Sequence, residues 1–509
     1  MSTPPTFPDR FNMAHYFLDA RIEEGRGDHV AVIDDHGRYT YRQVQALANQ
    51  VGNALSAIGV GVEDRVLIGL FDGVEFAATF FGVLKIGAVV TMVNPELPDG
   101  DYEHYLDYTR ARALVADVSV TERIAPLLRG SKLLRGVISA GAGGNWSDAV
   151  GRASPSLTNF DTSKDDVSAW LFTSGSTGKP KGAVHLHHDF PFNTECYGKG
   201  VLQMRADDVT IGVPKLFFGY ATGTNLMFPF AVGATTVLFR ERATPEKLFE
   251  LCAQQKATVL TSVPTMINKM VQASGAPRSL APMRACISAG EALPPELYHR
   301  WKETFGVEIL DGIGSAELFH IYISNRLDDV RPGSLGRLVP GYEAKVVGAD
   351  GNPVADGEIG TLWVKGDSAA ICYFQAHEKS KEVLRGDWVV SGDLFRRDAD
   401  GFFYYAGRAD DMLKVGGIFV SPMEVESCLL RHPNVLETAV VGYEDDDGLV
   451  KALAYVVVKG TTPSETLARA IIDHCKAELA HYKAPRRVQF VEALPRSDRG
   501  KILRRELRS

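Results

Sequence analysis

The segment that most constrains this chain is Thr173-Ser-Gly-Ser-Thr-Gly-Lys-Pro-Lys-Gly182, which places three glycines, four hydroxyl residues and two lysines in ten positions. It follows Ala169–Phe172, a short apolar run that predicts a buried strand. Glycines let a backbone turn tightly and aim its N–H groups inward, and hydroxyl and ammonium groups add donors for anionic oxygens. A strand that leads into such a loop predicts a triphosphate site rather than a solvated linker. The loop residues assigned to this site are Thr173, Ser174, Gly175, Ser176, Thr177, Gly178, Lys179 and Lys181.

The spacing within this loop excludes one large class of nucleotide-binding proteins. Lys179 is followed by Pro180, whereas a Walker A loop requires serine or threonine directly after its lysine. A P-loop ATPase or kinase is therefore disfavoured.

The composition of the chain limits the kinds of binding partner and the cellular compartment that we expect. The 509 residues carry 55 basic and 63 acidic side chains, a net charge of −8, which argues against a nucleic-acid partner. No run of uncharged apolar residues is long enough for a membrane helix, and the first residues do not resemble a signal peptide. The six cysteines never form a CxxC pair, so we expect buried free thiols in a reducing compartment. A cytoplasmic monomer or homodimer is expected.

Hydrophobic periodicity predicts the fold class. Thr40 is placed to cap a helix that ends near Gly59, and Arg65–Leu70 and Ala88–Val93 read as strands around a helix over Glu75–Ile86. Helices between apolar strands indicate crossover units and a parallel sheet. After about residue 335 short strands alternate with turn residues, and the last hundred residues show a separate α+β pattern. We predict an α/β and α+β protein. It has a large N-terminal domain of mixed and parallel sheets wrapped by helices, a β-rich subdomain, and a small mobile C-terminal α+β domain.

The loop at 173–182 resembles the signature loop of the adenylate-forming superfamily, which includes acyl-CoA synthetases, luciferases and adenylation domains. Further segments resemble the other motifs of that family, in the family's order, from about residue 30 to 505. They are Ser288–Pro294, Asp311–Glu317, Ser391–Asp393, Gly407–Gly417 and Pro495–Arg505. The branch that the chain most resembles is the benzoate-CoA ligase group, with anthranilate-CoA ligases among the candidates. The resemblance implies ATP, Mg²⁺ and coenzyme A as cofactors or substrates.

The resemblance also implies roles for the central motifs. Glu317 would bind the Mg²⁺ on the ATP phosphates, as suits a hard cation that prefers oxygen ligands. Asp393 would accept hydrogen bonds from the ribose hydroxyls, and Arg408 would assist there. Ala316 stands where the family commonly has threonine, so one hydroxyl contact to phosphate is absent. The residues that would line the adenine and phosphates are Ala289, Gly290, Glu291, Asp311, Gly312, Ile313, Gly314 and Ser315.

The C-terminal motifs imply a moving domain. The resemblance places one domain over residues 1–409 and a second over 410–509. Asp410 matches the hinge, and Gly416 and Gly417 would line the tunnel for coenzyme A. Lys501 matches the catalytic lysine of the adenylation step.

The chemistry explains why these residue types are needed. A carboxylate that attacks the α-phosphate of ATP meets Coulomb repulsion, which Lys501, the loop N–H groups and the cation at Glu317 would offset. The acyl-adenylate is then attacked by the thiol of coenzyme A, so no side-chain nucleophile is required. A hinge rotation would remove Lys501 and present Gly416 and Gly417 for the second step.

The acid itself is indicated by Pro214–Gly223 and by the residues after Glu317. In adenylation domains for α-amino acids an aspartate binds the substrate ammonium; the matching position here is Phe218. Phe217, Phe218 and Tyr220 suit a flat apolar ring, although plain core packing is the alternative. His320 and Gly314 complete the predicted acid site, and His320 has either a structural role or a hydrogen bond to the carboxylate or a ring substituent. Benzoate and 2-aminobenzoate are the candidates, and loading of a separate carrier protein is the alternative to coenzyme A.

Overall fold

The computed structural model describes residues 3–174, 180–408, 413–415, 418–445, 450–496 and 502–507. The chain folds into two compact units, of which unit 1 comprises 1–344 and 364–389, and unit 2 comprises 345–363 and 390–509. Unit 2 therefore begins before the predicted junction at 409/410. Asp410 lies outside the described residues, so the hinge stays a prediction.

The strands, in chain order, are β1 (Val30–Asp34), β2 (Gly37–Thr40), β3 (Arg65–Gly69), β4 (Val89–Met92), β5 (Ala113–Asp117), β6 (Gly136–Ala140), β7 (Val167–Ser174), β8 (Pro180–Leu186), β9 (Val209–Gly212), β10 (Thr235–Val237), β11 (Val259–Ser262), β12 (Ala285–Ser288), β13 (Glu308–Gly314), β14 (Ile321–Ser324), β15 (Arg337–Leu338), β16 (Glu343–Val347), β17 (Ile359–Lys365), β18 (Cys372–Tyr373), β19 (Leu384–Arg385), β20 (Trp388–Arg397), β21 (Phe403–Arg408), β22 (Leu413–Val415), β23 (Ile418–Val420), β24 (Val435–Glu444), β25 (Val450–Val458) and β26 (Arg487–Phe490).

The α-helices are α1 (Tyr41–Ala57), α2 (Val74–Lys85), α3 (Asp99–Thr109), α4 (Val118–Arg123), α5 (Ala125–Gly130), α6 (Trp146–Ala149), α7 (Asp189–Asn193), α8 (Gly219–Thr222), α9 (Phe228–Val232), α10 (Pro245–Gln255), α11 (Pro264–Gln272), α12 (Pro295–Phe305), α13 (His377–Val383), α14 (Pro422–Leu430) and α15 (Glu465–Glu478). Short π-helical segments cover His15–Asp19, Ile22–Arg26, Thr194–Lys199 and Gly223–Met227, and 3-10 turns cover Ala316–Leu318 and Arg504–Glu506. Within the described ranges, no helix combines the length and apolarity that a bilayer crossing requires.

Two large sheets organise unit 1. The first runs β15-β14-β13-β12-β11-β9-β10-β1-β2, and its strands from β13 to β1 are parallel. The second runs β18-β8-β7-β4-β3-β5-β6 and is parallel from β7 to β6, with β8 and β18 antiparallel at one edge. The predicted α/β architecture is confirmed.

The first crossover unit shows how the sequence sets this architecture. The Thr40 side chain accepts from the Gln43 N–H while the Gln43 side chain accepts from the Thr40 N–H, a capping box that starts α1. Gly59 ends this segment with a φ of 85°, a conformation that glycine adopts without strain. The predicted strands and helix that follow are confirmed as β3, α2 and β4.

Unit 2 has its own sheet and core. β24 pairs antiparallel with β25, and β25 pairs parallel with β26. α14 and α15 pack on this sheet through buried apolar side chains, including Val425, Leu429, Val440, Ala454 and Ile471. Elsewhere in unit 2, β20 pairs antiparallel with β21. The predicted α+β pattern of the last hundred residues is confirmed.

Candidate functional site

Three of the predicted segments leave the same edge of the first sheet. β9, β11, β12 and β13 are parallel neighbours, so their carboxyl ends point the same way. The chain from β9 continues into 213–218, the chain from β12 into 289–294, and the chain from β13 into 315–317. Ligands of open parallel sheets bind outside the carboxyl ends of the strands. The fold thus gathers the predicted acid, adenine and metal segments at a common edge.

The phosphate loop connects two antiparallel strands of the second sheet. Thr173 pairs with Lys181 and Ser174 with Pro180 in the β7–β8 register. Gly175, Ser176, Thr177, Gly178 and Lys179 lie outside the described residues, so their predicted contacts stay predictions. At the end of the loop, Gly182 packs closely against the Trp170 ring, since a Cβ there would lie 3.2 Å from it.

The predicted adenine segment begins at the end of β12. Ala289 is buried, and Gly290 has a φ of 86° with open space where a Cβ would point. The Glu291 carboxylate accepts from the N–H and hydroxyl of Thr265, at 3.0 and 2.7 Å. Glu291 therefore holds the start of α11 beside this segment. Gly290 supplies the open backbone surface on which a flat base can lie.

Glu317 sits in the 3-10 turn directly after β13. Its carboxylate accepts a hydrogen bond from the Tyr373 hydroxyl, and its carbonyl accepts from the Ala370 N–H at 2.8 Å. The side chain is partly exposed. A carboxylate held from one side and open on the other fits Mg²⁺, which uses one or two protein oxygens together with phosphate and water.

A buried histidine fixes the same turn. His185 on β8 contacts the Ala316 carbonyl through Nε2 at 2.7 Å and the Asp189 carboxylate through Nδ1 at 2.8 Å. All atoms of the two side chains are inaccessible to solvent. Since Ala316 is held by its backbone, the missing threonine hydroxyl is not needed to fix the position of the turn. Neither His185 nor Tyr373 was predicted: the run His185-Leu-His-His-Asp189 was a visible signal, whereas Tyr373 had none.

Asp311 is buried within β13. Burial raises its pKa to about 8, although the Ser288 hydroxyl and the Gly312 N–H both favour the charged form. The Asp311 carbonyl accepts from the backbone and side-chain nitrogens of Asn325, at 3.0 and 3.1 Å. At neutral pH the carboxyl is protonated, so it adds no negative charge where anionic phosphates are expected.

This raised pKa predicts how stability changes with pH. The folded protein keeps the Asp311 proton up to pH about 8, whereas an unfolded aspartate loses it near pH 4. The contribution of this bound proton to the free energy of unfolding is fully present below pH 4. It is lost as pH rises toward 8, by on the order of 1 kcal/mol per pH unit. Thermal unfolding at pH 6, 7 and 8 should therefore show a smaller loss of stability for Asp311→Asn than for the wild type. Asp207→Asn, at an exposed position, is the control and should follow the wild type. If the stabilities of Asp311→Asn and the wild type fall equally with pH, the raised pKa of Asp311 is contradicted.

The loop after β9 is anchored by charged groups. The buried Asp72 carboxylate accepts from the Leu216 N–H at 2.9 Å, and the Lys215 ammonium donates to the Phe239 carbonyl at 2.6 Å. Phe217 and Phe218 follow, with ring centroids 4.4 Å apart and both side chains partly exposed. These anchors fix two aromatic rings at the carboxyl edge of the sheet.

Tyr220 and His320 meet beyond that loop. The Tyr220 hydroxyl donates to the Ser262 carbonyl at 3.1 Å, and the His320 Nε2–H donates to the Tyr220 carbonyl at 2.9 Å. The imidazole lies so close to Gly223 that a Cβ there would be 2.2 Å from its ring. Gly314 is equally confined, since its Cβ would lie 2.5 Å from the His320 carbonyl. The structure thus brings Tyr220, Gly314 and His320 together.

His320 is neutral. Burial lowers its pKa to about 3, and its Nε2 donates to Tyr220, so Nδ1 carries the lone pair. Nδ1 has no hydrogen-bond partner within the part of the chain that the structure describes. The ring therefore presents a buried, unused acceptor.

Asp393 and Arg408 face each other across β20 and β21 in unit 2. The Tyr405 hydroxyl donates to the Asp393 carboxylate at 3.2 Å, and the Asp393 N–H donates to the Ser391 hydroxyl at 3.2 Å. The Asp393 side chain is partly exposed. The strand pairing brings together the backbones of the two residues predicted to bind the ribose.

Lys501, Asp410, Gly416 and Gly417 lie outside the described residues. The two ends of the segment that carries Lys501 are joined, because Arg496 and Ile502 form an antiparallel bridge. Arg504 is fixed in turn to the Glu426 carboxylate, at 2.8 Å.

Family models, curated relatives and solved structures each match this chain over most of its length. The family model for AMP-binding enzymes matches residues 18–374, and the model for their C-terminal domain matches 424–501. A benzoate-CoA ligase from Thauera aromatica is 42% identical over 100% of this chain and 98% of its own length. The crystal structure of the anthranilate CoA ligase AuaEII in complex with anthranoyl-AMP is 39% identical, with a TM-score of 0.93 over 98% of this chain and 97% of that one. A benzoate CoA ligase from Burkholderia xenovorans LB400 is 40% identical, with a TM-score of 0.91 over 98% and 100% of the two chains.

Proposed function

The chain belongs to the family of AMP-binding enzymes, and from that premise we propose that it is an ATP-dependent ligase that joins an aromatic carboxylate to coenzyme A. The reaction forms an aryl-adenylate and pyrophosphate, and then an aryl-CoA and AMP. The proposed acid substrates are benzoate and 2-aminobenzoate, in keeping with the names of the relatives.

One observation carries this proposal. Gly314 lies against the backbone of His320 in the aromatic pocket, and Glu317 follows three residues later in a turn fixed by His185 and Tyr373. The acid-binding wall and the metal-binding carboxylate are thus parts of one short, rigid segment. Such a segment holds a carboxylate close to an ATP phosphate, and close positioning supplies a large part of the rate enhancement of such reactions.

The described residues have distinct roles in the first step. Glu317 would hold a Mg²⁺ ion, which would supply positive charge at the phosphates. The ends of β7 and β8 would present the phosphate loop, and Gly290 would give the adenine an open backbone surface. Asp311 stays protonated and so avoids repulsion with the phosphates.

Lys501 would neutralise the attacking carboxylate. The residues on either side of its segment are paired with each other: Arg496 and Ile502 form a bridge, and the Leu503 N–H donates to the Pro495 carbonyl at 2.8 Å. Lys501 would be delivered to the reaction as part of a moving domain. Rotation about Asp410 would then exchange Lys501 for Gly416 and Gly417 in the second step.

For His320 we propose contact with a ring substituent rather than with the carboxylate. A neutral imidazole that already donates through Nε2 offers only an acceptor at Nδ1, and a carboxylate has no proton to give. An amino or hydroxyl group on the ring has such a proton. His320→Leu should therefore lower the ratio of kcat/KM for 2-aminobenzoate to that for benzoate. Benzoate has no ring substituent that donates to Nδ1, so it loses no hydrogen bond in the variant. An unchanged ratio would assign His320 a purely structural role.

The ribose assignment predicts a measurable loss of nucleotide affinity. Asp393→Ala should weaken ATP binding by roughly 1.5–3 kcal/mol, the range for hydrogen bonds to a charged group. Asp350→Ala is the matched control, since Asp350 closes an exposed turn of unit 2. Calorimetric titration with ATP measures both. An unchanged dissociation constant for Asp393→Ala would show that this carboxylate, which accepts from the Tyr405 hydroxyl, has a structural role alone.

A direct test of the first step is acid-dependent exchange of labelled pyrophosphate into ATP. Benzoate and 2-aminobenzoate should support exchange in the presence of Mg²⁺, and EDTA should abolish it. Failure of every aromatic acid would contradict the proposal.

A cytoplasmic location is also proposed. The six cysteines all fall within the described ranges and are free thiols, which suits a reducing compartment.

A further inference from the structure

A cluster of metal-ligating side chains lies in unit 2, on the facing surfaces of α14 and α15. Cys428 comes from α14, and His474 and Glu478 come from α15, one helical turn apart. One ligand atom from each lies within 4.8 Å of the other two. None of these residues has a part in the proposed ligase reaction, so an ion bound here would serve a different purpose.

The distances are close to those of a tetrahedral site. The Cys428 Sγ is 3.9 Å from the Glu478 Oε2, and the His474 Nε2 is 3.6 Å from the Glu478 Oε1. Zinc bonds of about 2.3 Å to sulfur and about 2.0–2.1 Å to nitrogen and oxygen put tetrahedral ligands about 3.3–3.5 Å apart. These two pairs are a few tenths of an ångström wider than a bound ion requires, and they involve different oxygens of Glu478, so its carboxylate would rotate to place one oxygen near both partners.

The surroundings supply what a bound ion needs. Cys428 is fully buried, and the Cys475 thiol lies in hydrogen-bonding contact with it. A neighbouring thiol can donate to the thiolate that a metal creates. The His432 ring lies 5.5 Å from the His474 ring, and Glu478 is exposed enough for an ion to enter.

Arg431 now holds the Glu478 carboxylate. Its Nε donates to Oε2 at 2.9 Å, and its terminal nitrogen bonds the same oxygen. The His474 Nε2 contacts the Cys428 carbonyl at 3.1 Å. A metal would have to displace both contacts, of which the partly exposed ion pair contributes only about 0–1 kcal/mol.

We propose that Cys428, His474 and Glu478 form a binding site for a thiophilic divalent ion, Zn²⁺ foremost, that links α14 to α15. Binding releases the Cys428 proton, moves the His474 proton from Nε2 to Nδ1, and frees Arg431 from Glu478. Water supplies the fourth ligand. Mg²⁺ is excluded from this site by its preference for oxygen ligands.

The test uses the full-length protein, stripped of metal with a chelator and kept reduced, and titrated with Co²⁺. We expect a thiolate-to-cobalt charge-transfer band that saturates at one equivalent, and its loss when one equivalent of Zn²⁺ is added, since Zn²⁺ binds more tightly. Cys428→Ser should abolish the band. His474→Gln, at a partly exposed position where folding is less at risk than at the buried Cys428, should weaken Co²⁺ binding by more than about tenfold.

Two further variants show whether Co²⁺ binds at this cluster or at another cysteine of the chain. Arg431→Gln should strengthen Co²⁺ binding by roughly two- to fivefold, because the ion no longer displaces an ion pair. Cys252→Ser, a buried cysteine in unit 1, should leave the titration unchanged. Absence of a charge-transfer band in the wild type, a band that survives in Cys428→Ser, or unchanged Co²⁺ affinity in His474→Gln would overturn the proposal. The proposed ligase activity is untouched by either result.

Discussion

Replacement of Lys501 by alanine is expected to slow aryl-adenylate formation by on the order of 10²–10³-fold, the loss that follows removal of one group that stabilises developing charge. Thioester formation from supplied aryl-adenylate and coenzyme A should continue. The reason is that only the first step brings two anions together, a carboxylate and the α-phosphate. Pyrophosphate exchange measures the first step, and AMP release from supplied adenylate measures the second.

Lys476→Ala is the matched control for this variant. Lys476 is a cation of the same unit that pairs with Asp473 on the surface, at 2.9 Å, so its loss should change neither rate. Equal loss of both half-reactions in Lys501→Ala would show that the lysine serves the fold or the binding of both substrates.

Aromatic acids are expected to exceed aliphatic acids by roughly 30- to 150-fold in kcat/KM. Burial of one ring contributes on the order of 2–3 kcal/mol, and each 1.4 kcal/mol is about tenfold. Phe217, Phe218 and Tyr220 would supply the apolar surface for that ring.

An α-amino acid should be rejected still more strongly. Its ammonium would enter a pocket where His320 is neutral and where none of the predicted acid-site residues carries a negative charge. An unpaired charge in such a site costs several kcal/mol. The comparison uses benzoate, 2-aminobenzoate, hexanoate and phenylalanine. Hexanoate equal to both benzoates would contradict the aromatic pocket, and preference for phenylalanine would place the chain with amino-acid adenylation enzymes.

Much of the fold could be predicted because local signals and long-range packing agree. The Thr40 cap, the apolar face of α1 and the glycine at 59 are properties of neighbouring residues, and each is found where the sequence predicts it. The order of strands within the two sheets was not predicted. It depends on which crossovers pack together, and no local pattern contains that information.

The contacts within the candidate site also depend on long-range packing that the local sequence does not reveal. Glu317 could be singled out from its motif, yet the groups that fix its turn lie far away in the sequence: Tyr373 bonds Glu317, and His185 bonds the Ala316 carbonyl. The burial of Asp311 also follows from strand packing and not from its motif. For His320, the sequence could not show that Nε2 donates to the Tyr220 carbonyl, and its role in substrate binding stays a prediction.

The cluster on α14 and α15 was hidden for a similar reason. The sequence predicted Cys428 and Cys475 to be buried free thiols, and both are. Cys428 is 46 residues from His474 in the chain, and only the packing of the two helices brings them together. No spacing rule for metal ligands covers such a separation.

The mass of the reaction product tests most directly whether this protein joins an aromatic acid to coenzyme A. The purified protein is incubated with ATP, Mg²⁺, coenzyme A and either benzoate or 2-aminobenzoate. We expect the aryl-CoA thioester, with AMP and pyrophosphate formed in equal amounts. Accumulation of the aryl-adenylate with no thioester, despite saturating coenzyme A, would contradict the ligase assignment and would point to a separate carrier protein as the acceptor.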